Sequence, residues 1–396
     1  MEKSLASHWK RNFILVVLAN ACSSISFQML TPVLPIYVVE ILGRTEFIAG
    51  LVVGTLTITT ILVRPFSGKA IDLFNHRTIG VIGMLLCATT IFFYQFAQHT
   101  SLLIILRLIH GVGWAIVTGT TVTIASMSIP KNRLGGGMGL FGVSSVFSLA
   151  IAPGLALYVI NAFNFQILFV LASTLVVIGA LLVYFVAAYH QAPSPQKWSW
   201  KQTISGLFVP AAVKPALVNL CVSQTLSVIL TFTPLYAAQY HIKNMGPFFT
   251  AFALTLLLSR LVTGRLIDAK GFRIVILPGL GVVMVSIALL SFASTLPVFI
   301  MAAILYGIGY GCIHPSLQAI VVARSLPEQR GAANSTLLLS SDLGFGIGAT
   351  LYGFFAHFLG YQFIFPLLFV PVAGAVLIHL FYRSKKNIDV KEQNRC

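Results

Sequence analysis

Long apolar runs separated by short polar stretches fill almost the whole chain. Each run has about 20 residues, the length at which an α-helix crosses the hydrocarbon core of a bilayer. The pattern predicts twelve spans, in chain order 13–39, 47–67, 78–98, 102–128, 136–161, 164–188, 215–239, 247–267, 274–294, 297–323, 332–358 and 361–382. The sequence therefore predicts an all-α polytopic membrane protein with twelve transmembrane helices.

A polar stretch divides these spans into two sets of six. It begins near His190 and contains Pro193 and Pro195, which interrupt helices, and Trp198 and Trp200, which suit a membrane interface. We predict an N-terminal six-helix bundle over residues 1–190 and a cytoplasmic linker over 191–213. A C-terminal six-helix bundle with a cytoplasmic tail follows over 214–396.

Composition and charge support a membrane protein and give its orientation. Hydrophobic residues make up 57% of 396 residues and charged residues only 9%, whereas soluble domains carry about 25% charged residues. The net charge of +16 lies almost entirely between spans, in alternate loops and both tails, while the opposite loops hold only Arg44 and Lys243. Since positive loops face the cytoplasm, both termini are predicted to be cytoplasmic. No basic face lies beside stacking aromatics, so we expect lipids and no nucleic acid as partners.

A polar hairpin occurs twice in the chain. Residues 64–77 follow the second span, and the same skeleton returns about 196 positions later in residues 260–273. Other matches support a repeat, such as Asn20 with Asn219 at an offset of 199. Because the halves are six spans apart, they share one orientation and are predicted to be parallel repeats about an axis normal to the membrane.

These hairpins and a fourth-span stretch, Arg107-Leu-Ile-His-Gly111-Val-Gly113, resemble the signatures of the major facilitator superfamily along the whole chain. Asn75 stands where that family has a second glycine, and we expect it to adopt the left-handed conformation that Asn tolerates. The resemblance implies a secondary transporter of two pseudo-symmetric bundles with the proton gradient as its energy source. The chain contains no P-loop lysine, H-E-x-x-H, G-x-S-x-G or C-x-x-C motif, so we expect neither an enzyme nor a cofactor or metal, and we expect a monomer. The resemblance also implies a role in gating for the residues of the hairpins and the loop after the fourth span: Arg64, Gly68, Asp72, Arg77, Arg133, Arg260, Gly264, Asp268 and Arg273.

Asp342 is the only acidic residue well within a predicted span. It lies about eleven residues into the eleventh span, ~16 Å deep at 1.5 Å per residue. A charge at the centre of a membrane helix costs ~2.5–3.5 kcal/mol and suggests a function. The resemblance implies a proton carrier. The alternatives are a carboxylate that locks the eleventh helix to a neighbour and a direct contact with substrate.

Arg107 is the second charge placed inside a span. It shares a helical face with Gly111, Trp114 and Thr118, and His110 lies beside it. Such a face suits a water-filled cavity, and the resemblance implies that this arginine assists proton movement or holds an anionic group. The alternative is an arginine that is ion-paired or reaches the headgroups.

Small polar residues form stripes along the first and seventh spans, which either line the central path or mediate helix packing. His314, beside Pro315 in the tenth span, is either a titrating group or a packing histidine. We therefore predict proton coupling by Asp342, Arg107 and His314. The predicted substrate cavity consists of Gln28, Thr31, His110, Trp114, Thr118, Gln224, Thr231 and Tyr310.

The direction of transport is indicated by the fifth span. Ala152-Pro153-Gly154 resembles part of an exporter signature of the same superfamily without its full glycine pattern, and the hairpin resembles twelve-span drug and metabolite exporters. The sequence favours proton-driven efflux of a small organic molecule across the cell membrane. Proton-coupled uptake is the alternative, and a sensor on the same fold is a distant one. The charges favour a neutral, zwitterionic or anionic substrate, although a cation paired with Asp342 is also compatible with them.

Overall fold

The computed structural model describes residues 2–73, 75–130, 134–187, 209–242, 244–270, 272–325 and 330–381, and this part of the chain is helical without strands. The helices are α1 (Glu2–Ile36), α2 (Glu46–Leu73), α3 (His76–Phe93), α4 (Thr100–Ser128), α5 (Leu134–Ala162), α6 (Phe165–Tyr184), α7 (Pro210–Ala238), α8 (Gly246–Lys270), α9 (Phe272–Ser291), α10 (Leu296–Arg324), α11 (Arg330–Leu359), α12 (Tyr361–Leu367) and α13 (Phe369–Leu380). Twelve stretches of these residues are long and apolar enough to cross a membrane, with α12 and α13 together forming the last. The predicted all-α, twelve-span architecture is confirmed.

Prolines account for the local departures from regular helix. α7 begins at Pro210, four residues before the predicted start of the second bundle, because proline fits the first turn, where its missing N–H is not needed. Pro366 lies just before the break at Leu368 that divides the last span. A π-helical turn, Tyr37–Ile41, follows Pro35 at the end of α1. The linker predicted over 191–213 lies mostly outside the described residues.

Two apolar cores correspond to the two halves of the chain. One contains residues of α1 to α6, among them Tyr94 and Phe169. The other contains residues of α7 to α13, among them Phe252, and takes in Val146 and Leu149 from α5. The halves are therefore two bundles that meet at shared surfaces.

The bundles meet along two seams, α2 against α11 and α5 against α8, with α1 against α7 between them. We call the side on which α6 ends and α7 begins the linker side, and the opposite side the far side. At the far end of the first seam the rings of Phe47 and Phe354 pack edge to face at 5.8 Å. In the second seam a side chain on Gly154 would lie 3.4 Å from the Cα atom of Gly246. Small residues thus let the two backbones approach closely, and both seams are closed at the far end.

An equivalent polar clamp holds a pair of helices in each half. In the first half the Asn20 amide donates to the hydroxyl of Ser144 at 2.8 Å, from α1 to α5. In the second half the Asn219 amide donates to Ser340 at 2.9 Å and to Ser341 at 2.6 Å, from α7 to α11. The internal repeat seen in the sequence is therefore also a repeat of contacts, and it aligns α5 with α11.

The close contact between α9 and α10 gives a test of the packing. We expect Gly309→Ala to lower the free energy of unfolding by about 1–3 kcal/mol, because its Cβ would lie 2.7 Å from the carbonyl oxygen of Gly279. Gly281→Ala is the matched control, since no atom lies within 4 Å of its Cβ position. Thermal unfolding in detergent measures both, and equal destabilisation by the two variants would contradict this packing.

Candidate functional site

An ion pair joins the two bundles within the spans. Nη2 of Arg64 on α2 donates to Oδ2 of Asp342 on α11 at 2.6 Å. The two side chains are 17% and 24% exposed, so they are largely but not wholly removed from solvent. The structure brings together a residue predicted for gating and one predicted for proton coupling, which the sequence did not connect.

The chemistry of this pair depends on the charge of Asp342. A hydrogen bond between a guanidinium and a carboxylate is short and about twice as strong as a neutral one. Removing one charge from a buried pair leaves the other charge uncompensated, which is costly in a low-dielectric environment. A proton on Asp342 would therefore weaken the attraction between α2 and α11. The arrangement can link a protonation event to the fit between the two halves.

Arg107 lies in the interface between α4 and α2. The side chain is 5% exposed, and its Nε and Nη2 atoms donate to the carbonyl oxygens of Val52 at 3.0 Å and Val53 at 3.2 Å. His110, one turn further along α4, is buried, and its Nδ1 atom lies 2.8 Å from the hydroxyl of Tyr94. In this conformation both side chains contact neighbouring helices. The contact of His110 with Tyr94 could not be predicted from the sequence, because Tyr94 lies in another span.

The polar faces predicted on α1 and α4 meet through an aromatic pair. The rings of Phe27 and Trp114 stack with centroids 4.2 Å apart and planes 10° from parallel. The hydroxyl of Thr118 donates to the carbonyl of Trp114 at 2.9 Å, and that of Thr31 donates to the carbonyl of Phe27 at 3.2 Å. Gln28, the next residue of the predicted cavity, is half-buried beside this stack. Phe27 was not among the predicted cavity residues, because it is apolar and lies between the polar positions of the first span.

The remaining predicted cavity residues lie in the second half. The ring of Tyr310 stacks between those of Tyr306 and His314, with centroids 5.8 Å and 5.9 Å away, so three successive turns of α10 form one row. On α7, Gln224 is half-buried, whereas Thr231 is buried and its hydroxyl has no hydrogen-bond partner among the described residues. These residues do not form one cluster with Trp114 in the contacts of the described residues.

Several residues predicted for gating belong to the part of the two hairpins whose side chains are not among the described ones. The side chains of Asp72, Asp268 and Arg273 lie outside the described residues, as do the whole of Arg133 and the surroundings of Gly68. No atom lies within 4 Å of the position that a Cβ of Gly264 would take.

At the start of α3 the hairpin is described. The guanidinium of Arg77 lies 4.0 Å from the centre of the Tyr184 ring, and Asn75 precedes it. The expectation of a left-handed Asn75 is wrong: its φ is −64°, and its side chain accepts from the backbone N–H of Arg77 at 3.0 Å. Asn caps the helix there, a role glycine cannot fill with a side chain.

Two six-helix bundles that repeat each other, with a close glycine contact and an ion pair between them, have the architecture of a secondary transporter of the membrane. The chain belongs to the Major Facilitator Superfamily, whose family model matches residues 16–249 and 217–395. The family and its relatives point to a transporter of small molecules and not to an enzyme.

Individual relatives agree with this assignment over nearly the whole chain. An uncharacterized MFS-type transporter of Salmonella typhimurium, STM4428, is 24% identical over 89% of this chain and 91% of its own. The uncharacterized MFS-type transporter YhhS of Escherichia coli is 27% identical over 96% and 93%. Among solved structures, the D323A mutant of the nucleoside transporter NupG superposes with a TM-score of 0.77 at 13% identity, over 93% of this chain and 98% of its own.

A double-mutant cycle tests the ion pair. We expect Arg64→Gln and Asp342→Asn each to lower the free energy of unfolding, because each leaves one charge without its partner. The double variant should lose less than the sum of the two, with a coupling of about 0.5–3 kcal/mol. Thermal unfolding in detergent at one pH measures all four proteins. Strict additivity would mean that the two side chains do not interact.

Proposed function

We propose that this protein is a proton-coupled transporter that exports a small organic molecule across the cell membrane by alternating access. The observation that carries the proposal is the ion pair between Arg64 and Asp342, which joins the two bundles. Asp342 is the acid that the sequence singles out inside a span, and its partner belongs to the opposite half. A carboxylate placed in this way can convert a change of protonation into a change of contact between the halves.

We infer that this conversion works through the seam between α2 and α11. At its far end Nδ1 of His357 lies 3.4 Å from Oε2 of Glu46, and at its linker end Arg64 binds Asp342. When a proton neutralises Asp342, the linker end loses its charged hydrogen bond and can separate. When the proton leaves, the ion pair forms again and draws the helices together. Substrate and proton that favour opposite states of this seam would be exchanged in one cycle.

Orientation follows from the loops. The linker side carries most Lys and Arg, so we assign it to the cytoplasm, together with both termini. The closed far ends of both seams then face outward, and the ion pair holds the linker end of the first seam together. Substrate would enter from the cytoplasm once Asp342 is protonated and this end separates. That opening is the loading step of an exporter and the release step of an importer.

Efflux is favoured by the fifth span. Gly154 follows Pro153 in the stretch that resembles an exporter signature, and it is the residue through which α5 meets Gly246 of α8 at the outer end of the seam. The resemblance thus concerns a position at which the outer side closes. We infer that α5 bends and packs there during export, with the proton moving in the opposite direction.

Proton release on substrate binding tests the coupling. Purified protein in weakly buffered detergent solution is mixed with a library of drugs and metabolites over a range of pH, and protons are counted with a pH dye. We expect a bound ligand to displace protons from the wild type but not from Asp342→Asn, which cannot carry one. Asp342→Glu is the conservative control and should restore release. Equal release by wild type and Asp342→Asn would move the coupling site to His314, His110 or Glu40.

A flux assay in proteoliposomes then separates export from uptake. The orientation of the protein in the vesicles is determined from the accessibility of its C-terminal tail. Substrate that moves in the direction opposite to the proton, driven by an imposed proton gradient, supports antiport. Movement of substrate together with the proton would instead support the uptake alternative. A ligand that binds but never moves under either gradient would support a sensor.

A further inference from the structure

Arg260 on α8 is a cation inside a span that is not paired with any of the described residues. The side chain is half-buried, its Nε atom is buried, and no described residue accepts a hydrogen bond from it or pairs with it. A guanidinium carries five donors, and a charge left unpaired inside a membrane protein is costly. A side chain with these properties points to a group that is supplied from outside the protein.

The internal repeat explains why this arginine lacks an acid. Arg260 corresponds to Arg64 at an offset of 196, the offset that also relates Ser340 and Ser341 to Ser144 and Ser145 in the two polar clamps. The same offset places Val146 of α5 where Asp342 stands in α11.

The surroundings of Val146 agree with this correspondence. It is 4% exposed and packs with the core of the second half, and it lines one cavity of about 440 Å³ with Leu257, one turn before Arg260 on α8. Arg64 thus has a carboxylate partner across its seam, whereas a valine stands at the position that corresponds to this acid in the other seam.

Two further polar groups, the hydroxyl of Tyr310 and the ring of His314, lie on the neighbouring helix and can hydrogen-bond to a ligand. The helices α8 and α10 are in close contact beside Arg260: a Cβ on Gly311 would lie 2.8 Å from the Cβ atom of Ser259, and the hydroxyl of Thr263 donates to the sulfur of Cys312 at 3.3 Å. Tyr310 and His314 flank this contact on α10. The Tyr310 hydroxyl and the His314 ring nitrogens have no hydrogen bond to a described residue, and the two rings stack on each other. A guanidinium, a phenol donor and an imidazole beside a row of aromatic rings are the groups that would hold the acidic head and planar body of an aromatic anion.

We propose that Arg260, Tyr310 and His314 form the binding site for an anionic group of the substrate, and that the substrate is an aromatic organic anion. The proposal rests on the proposed transport function and names the substrate class for it. Arg260 provides the counter-charge, Tyr310 donates to the anion, and the ring row of α10 packs against the apolar part of the molecule. The two arginines then have separate roles, Arg64 for coupling and Arg260 for binding.

Ligand-induced stabilisation tests the site without any proton gradient. The probes are benzoate and phenylphosphate, with neutral benzamide and cationic benzylamine as matched controls at equal ionic strength. Apparent affinity is read from the dependence of the unfolding temperature in detergent on probe concentration. We expect at least one of the two anions to bind the wild type more tightly than either control probe, and Arg260→Gln to weaken that anion about ten- to a hundredfold.

The repeat supplies a second variant that leaves Arg260 in place. Val146→Asp puts a carboxylate at the position equivalent to Asp342, so it should neutralise Arg260 and abolish anion binding. Val146→Asn has the same shape without the charge and should bind the anion as the wild type does. Arg44→Gln, which removes a positive charge from a far-side loop, should also bind it unchanged.

Two results would overturn the proposal. One is that neither anion stabilises the wild type more than benzamide does. The other is that the preference for the anion survives in both Arg260→Gln and Val146→Asp. Neither result would contradict the proposed coupling role of Asp342, because that role is tested separately by proton release with other ligands. Conversely, anion binding that depends on Arg260 in a protein whose proton release does not depend on Asp342 would support this site and contradict the proposed coupling.

Discussion

Charges inside a bilayer have to be compensated, and the ion pair between Arg64 and Asp342 meets this requirement across the boundary between the two halves. Each partner lies on a different bundle, so this contact joins the two halves. Its strength depends on the charge of one carboxylate. A membrane protein whose bundles met only through glycine and apolar contacts would have no comparable way to respond to a proton.

The two halves also have to approach each other closely without being permanently joined, and the glycine contacts make this possible. Gly154 and Gly246 bring α5 and α8 together at the far end, where side chains would keep the backbones apart. Lipid gives little hydrophobic drive for helices to associate, so packing of small residues and a few polar contacts carry the interface. Such an interface can close tightly and still separate, which is what alternating access requires.

The two halves of the chain have equivalent contacts between their helices, but the charged residues at equivalent positions differ. Asn20 and Asn219 clamp equivalent helices through equivalent serines. In contrast, Asp342 in α11 corresponds to Val146 in α5, so Arg64 is paired with an acid, whereas Arg260 has no such partner in the part of the chain that the structure describes. A symmetric scaffold gives each half the same helix packing, while the one asymmetric acid gives the halves different chemistry. This difference is the physical basis for the proposal that proton coupling involves Arg64 and that substrate binding involves Arg260.

The sequence alone determined the spans, the parallel repeat and the resemblance to a transporter family, because the bilayer imposes a length and an apolar composition that can be read residue by residue. It also located Asp342 as an acid in an unfavourable place. Only the tertiary structure decided its partner, since Arg64 is 278 positions away in the chain. For the same reason the contact of Arg107 with the backbone of α2, the stacking of Phe27 on Trp114 and the isolation of Arg260 could not be predicted. Helical periodicity tells which residues share a face, but the neighbour of that face is set by how all the helices pack together.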